Sequence, residues 1–201
     1  MKIRSFATSV EFVLIAVFIL IGAGSSLVLA KETHMHELTS QDHDQSSQLA
    51  QASALIKIVR EATERFQDVS TAEAAGYYLQ FGCVSGPDSG AMGMHFVNST
   101  FVMDGMLDPT RPEIVLYEPL PDGRLQLIGA DYLVLADSWN ATHSEPPQLM
   151  GQLFHYFESP NRFGLPAFYT LHVWAWKDSP TGAFVNWHSD VSCTAFNGQS
   201  R

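Results

Sequence analysis

Four polar side chains interrupt runs that otherwise read as apolar strands. His95 stands between Met94 and Phe96 in AMGMHFVN, and His172 stands in FYTLHVWAW. Glu118 follows IVLY, and Asp131 breaks the run LIGADYLVL. Alternate residues of a strand share a face, so Phe168, Thr170, His172, Trp174 and Trp176 fall together. A hairpin through Asp122-Gly123 sets Glu118 opposite Leu127. Ile114, Leu116 and Glu118 then share an apolar face with Leu127, Gly129, Asp131 and Leu133. A three-residue loop would flip one strand and separate the two acids.

A carboxylate does not stay charged in a core unless something pairs with it. The available partners are His95, His172, an arginine or a metal ion. Mixed imidazole and carboxylate ligands suit zinc, iron, manganese or copper. With a coordination position left open, such a set would support Lewis-acid or oxygen chemistry. The competing reading is structural: each histidine hydrogen-bonds one acid or a carbonyl and fixes the sheet register. A third reading gives the binding role to the aromatic residues Phe168, Trp174 and Trp176, as an apolar-ligand or envelope-interaction surface. Sequence leaves these open.

Other features carry less. His143 and His155 fall in a long connection and read as exposed loop histidines; His188 has no assigned role. Met92, Met94, Met103 and Met106 read as gap-filling core residues rather than soft copper ligands. Asn98 (NST) and Asn140 (NAT) match the glycosylation acceptor pattern, which matters only in a eukaryotic secretory host. There is no GxSxG, HExxH, phosphate-binding loop or dinucleotide fingerprint in the sequence.

The elements that must position these residues begin after a leader. MKIR followed by FVLIAVFILIG and LVLA reads as a secretory signal over residues 1–30, cleaved after Ala30. An uncleaved anchor is the alternative. No second long apolar run follows, so nothing beyond the leader is expected to enter a membrane. Residues 31–47 are polar and aperiodic and read as a flexible linker; His34, His36 and His43 are expected to be solvated there. Residues 48–201 form one α+β domain. A helix is expected from about Gln48 to Val69, where Leu49, Ala52, Ile56, Val59, Thr63 and Phe66 recur at helical spacing. Ser70 and Glu73 have capping-box spacing for a short second helix ending at Gly76.

Short strand-like runs follow at 77–84, 92–97, 113–118, 124–136, 168–176 and 183–187, separated by turn residues. A helix followed by adjacent strands implies an α+β fold, with the helix packed on a mostly antiparallel, twisted sheet or partial barrel. The formal net charge is −10, with no basic stripe, which argues against nucleic acid and anionic membranes as partners. Export would place the two cysteines, Cys83 and Cys193, in an oxidising compartment, where a disulfide between them is expected.

Several blocks, taken in order over roughly residues 60–193, resemble a family of secreted bacterial proteins with no established activity. They are EATERFQDVSTAEAAGY, GCV, GAMGMHFVN, PEIVLYEPLPDGRLQLIGADYLV, GLPAFYTLHVWAW and NWHSDVSC. The resemblance implies export and a match over the whole domain. It places emphasis on His95, Asn98, Glu118, Asp131, His172 and the cysteines, but supplies no reaction. Members of that family carry glutamate where Asp131 stands and WNP where this chain has Trp187-His188-Ser189. The shorter Asp131 keeps the charge and loses about one methylene of reach, so a metal site here would have to close up by that much.

Overall fold

A computed structural model describes residues 26–198 of the chain, with side chains described from residue 42. Most of the leader therefore lies outside the described residues. Among the described residues, no helix is long and apolar enough to cross a membrane. Helix α1 runs Ser26–Thr63, so the segment 31–47 is helical rather than an irregular linker. Residues 42–50, His43 included, are exposed.

From Gln45 onward the chain forms one compact unit. There the apolar stripe of α1 turns inward: Leu55 and Val59 are fully buried. A 3-10 turn, Glu64–Gln67, leads to α2 (Val69–Ala74). The N-cap of α2 is Asp68, whose carboxylate accepts the Ser70 amide at 2.9 Å, so the cap sits two residues before the expected Ser70. Asp beside the first amides of a helix satisfies groups the helix itself cannot.

The strands are β1 (Tyr78–Ser85), β2 (Ala91–Val97), β3 (Ile114–Pro119), β4 (Leu125–Leu135), β5 (Gln148–Leu149), β6 (Gln152–Leu153), β7 (His155–Phe157) and β8 (Phe168–Val173). Short helices α3 (Ser99–Asp104) and α4 (Ala136–Asn140) complete the inventory. Six strands form one antiparallel sheet, in the order β1-β2-β3-β4-β8-β7, curled into a half-barrel; β5 and β6 pair separately. The expected α+β architecture is thus the observed one. The run 183–187 is not a strand, and only His188 beyond it bridges, to Ala91.

The two faces of the sheet have different covers. Met94, Phe96, Val115, Tyr117 and Leu127 pack against Phe66, Ala72 and Tyr77 of the helical segment. Ala130, Tyr132, Leu171 and Val173 pack against Leu55 and Val59. On the opposite, inner face lie Ile114, Leu116, Leu133 and Phe168, under the segments that carry Phe157, Phe163, Leu165, Val185 and Val191. The period of two in each strand makes this division.

Cys83 and Cys193 form a disulfide across 110 residues of sequence. It ties the fully buried end of β1 to the carboxy-terminal segment. Asn98, which matched the glycosylation pattern, is buried. Its side-chain oxygen caps α3 by accepting from Thr100 and Phe101, and its amide donates to the Ala75 carbonyl.

One buried acid lies apart from the polar groups of the inner face. Glu113 is 1% exposed; its Oε2 accepts the Leu133 amide at 3.1 Å, while Oε1 meets no partner. Burial is the main cause that pushes its carboxyl up from 4.5 to about 8. A group whose folded-state pKa is raised lends stability below its unfolded value and loses it as pH rises through the folded one. Glu113→Gln keeps the acceptor for Leu133 and removes the titration. Urea melts should therefore show the variant gaining about 1–3 kcal/mol on the parent between pH 5 and pH 9. Parallel pH profiles for the two proteins would refute this.

Candidate metal centre

β4 pairs with β8 so that Asp131 stands directly opposite His172. β2 lies two strands from β4, and His95 pairs with Leu116 of the intervening β3. In a flat sheet the three strand spacings from β2 to β8 would hold the two histidines about 14 Å apart. The curl of the sheet turns their side chains toward one another, and the ring centroids are 5.7 Å apart. One ligand atom from each of His95, Asp131 and His172 lies within 4.8 Å of the others. All three residues are buried, at 6%, 2% and 2% exposure.

Local backbone shapes this group. Gly93 has φ +83, and a Cβ there would come within 2.7 Å of the Tyr117 carbonyl. Only glycine takes that conformation freely. The Gly93 carbonyl lies 3.2 Å from His95 Nδ1 and accepts its proton, which leaves Nε2 with a free lone pair. Gly129 faces the Val173 carbonyl, which a Cβ would approach to 2.3 Å, so it lets β4 and β8 close up beside the site. Thr170, two residues before His172 and on the same face, donates its hydroxyl to Asp131 Oδ1 at 2.5 Å. Such outer contacts orient ligands where a metal is bound.

His172 is different. Its Nδ1 is 3.5 Å from Asp131 Oδ1, yet neither ring nitrogen makes a hydrogen bond. The Asn186 side chain, whose buried Oδ1 meets no partner in good geometry, lies against the His172 ring as a strained hydrogen-bond neighbour and holds its proton affinity up against burial. Burial dominates the acid–base state of the group. It lowers His95 to about 4 and His172 to about 3, and it raises Asp131 to about 6. The His95 charge, the Thr170 hydroxyl and the Leu171 amide pull Asp131 back down. Burial thus favours the neutral form of both imidazoles, the form that ligates metal, while the Thr170 and Leu171 hydrogen bonds favour the carboxylate form of Asp131. For a tetrahedral ion with ligands at about 2.0–2.2 Å, the donor atoms must lie about 3.4 Å apart, so these three, within 4.8 Å of one another, would have to close by up to about 1.4 Å to hold one.

Glu118 does not join them. The hairpin register holds from Ile114↔Asp131 to Leu116↔Gly129, then shifts by one residue, and Glu118 faces Gln126 instead of Leu127. The carboxylate sits at the turn end of β3. There it accepts from Lys177 Nζ at 2.5 Å and from the Ser192 amide at 2.9 Å, which ties the carboxy-terminal segment to the sheet. Glu118→Ala should cost about 1–3 kcal/mol in denaturant unfolding. The metal affinity of the folded variant should stay within about twofold of the parent's. A tenfold loss by equilibrium dialysis would return Glu118 to the ligand set.

The aromatic candidates also separate. Phe168 lines the space over the histidines. Trp174 is 1% exposed, donates to the Val185 carbonyl and packs edge-on to His188. Trp176 lies against the helical side, where its indole N–H donates to Thr63. Strand pairing stops at Val173; Trp174 still packs in the inner-face cluster with Phe168, its ring 5.5 Å from that of His172, whereas Trp176 leaves the group the alternation placed it in. His155 is exposed near the site, and His188 is fully buried with Nδ1 accepting from the Asp190 amide. Thr170 and Gly93 were legible as same-face neighbours at two-residue spacing; Asn186, in a loop, had no such signal.

Comparison with protein-family models, curated proteins and solved structures finds no match to this chain.

Proposed function

We propose that this is an exported protein that holds one divalent transition-metal ion through His95, Asp131 and His172. The disulfide is consistent with an oxidising compartment. The observation that carries the metal reading is His172. In a structural polar network each buried member is satisfied, and here Asp131 has Thr170 and His95 has Gly93. The two His172 nitrogens are buried beside both other ligands and satisfied by neither. A cation would take the lone pair nearest Asp131, and a small movement of Asn186 would take the ring N–H.

Two imidazoles and one carboxylate suit iron, zinc or manganese and leave further coordination positions free. Bound there, the metal would supply Lewis-acid or oxygen-binding chemistry. The three side chains would hold the ion, the Gly93 carbonyl fixes the His95 tautomer, and burial keeps bulk water away. Elemental analysis of the purified mature protein tests the reading. About one transition-metal ion per chain is expected, falling to background in His95→Ala and His172→Ala variants that remain folded. Metal retained by both variants would overturn it.

A further inference from the structure

The three ligands open onto a cavity of about 30 Å³. One water molecule needs about 10–15 Å³ of such space, so a group of two or three atoms fits and an aromatic ring does not. The walls are Phe81, Met92, Leu133, Phe157, Phe163 and Leu165. Phe163 is half-buried at the outer side. Its ring meets those of Phe81 at 5.6 Å, Phe157 at 6.2 Å and Phe168 at 6.1 Å. Among the described residues, no lysine or arginine lines the cavity. The further polar wall residue, Thr170, already uses its hydroxyl to donate a hydrogen bond to Asp131. A carboxylate- or phosphate-bearing substrate would find no counter-charge there beyond the metal, and burying such a group unpaired is costly.

Resting on the metal reading, we infer that the open coordination position admits rod-shaped ligands of two or three atoms, of the size of dioxygen or azide. Phe163 is the residue that excludes larger ones. The aromatic wall sets the limit by shape, and the apolar lining disfavours hydrated polar groups.

Cobalt(II) loaded into the full mature chain gives visible bands that report both metal binding and any ligand that joins the metal. In the parent, azide should shift these bands and imidazole at equal concentration should not. In Phe163→Ala, imidazole affinity should rise by about tenfold or more, with azide within about threefold of the parent. Leu165→Ala, on the same wall, provides a second test if Phe163→Ala does not fold. Imidazole binding to the parent as readily as azide, or no azide binding to a cobalt-loaded parent, would overturn the inference while leaving the metal site standing. No cobalt bands before any ligand is added would overturn both.

Discussion

A metal ion at 100 times its dissociation constant should stabilise the folded chain by about 2.7 kcal/mol, because the unfolded chain offers no preformed site. For a unit of this size that is a rise in Tm of about 5–10 °C. The effect is expected on adding zinc, cobalt or iron(II) to chelator-stripped protein, and chelator should reverse it. It follows from the three-residue geometry. His95 comes from β2, Asp131 from β4 and His172 from the adjacent β8, so one ion would link β2 directly to a pair of strands it otherwise reaches only through β3. Loss of one ligand should lower affinity at least as much as loss of an outer contact does, which is up to about a hundredfold. At a metal concentration that saturates the parent, His172→Ala and Asp131→Asn should therefore show almost no thermal shift. Melting curves that do not respond to metal in the parent, or respond equally in the variants, would refute the site.

Removing the Cys83–Cys193 bridge should have a still larger effect on stability. The bond closes a loop of 110 residues, nearly the whole sheet. On the chain-entropy account such a crosslink is worth about 4–5 kcal/mol, because it restricts the unfolded chain. The double variant Cys83→Ala, Cys193→Ala should melt about 10–20 °C lower than the parent. The bridge also anchors the carboxy-terminal segment beside Val191, which packs on the inner face, and Ser192, whose amide reaches Glu118. Without it that segment holds to the sheet through Glu118 and Lys177, so Glu118→Ala should cost more in the double variant than in the parent. A loss below about 1 kcal/mol would show that unfolding does not feel the loop closure.

Much of the fold was legible because it is written in local chemistry. The period of two puts His95, Asp131 and His172 on strand faces. The period of three and four puts Leu55 and Val59 of α1 inward. The open end of the hairpin pairs as the Asp-Gly turn implies, with Ile114 opposite Asp131. Two cysteines, in a chain whose first residues read as a secretory signal, lead to the expectation of the bridge that is found.

Sequence by itself determined the α+β class, the strand faces, the disulfide and the residue types of the buried cluster that could hold a metal ion. Only the tertiary structure decided which of the four polar side chains meet. Strand order and sheet curl bring β2 and β8 within ring contact across the inner face, and neither is encoded in the residues next to His95 or His172. A one-residue register shift sends Glu118 to Lys177, and the end of strand pairing at Val173 sends Trp176 to the helices. Such shifts depend on close approaches between distant backbones, as at Gly93 and Gly129, where the energy is non-local and no local pattern records it.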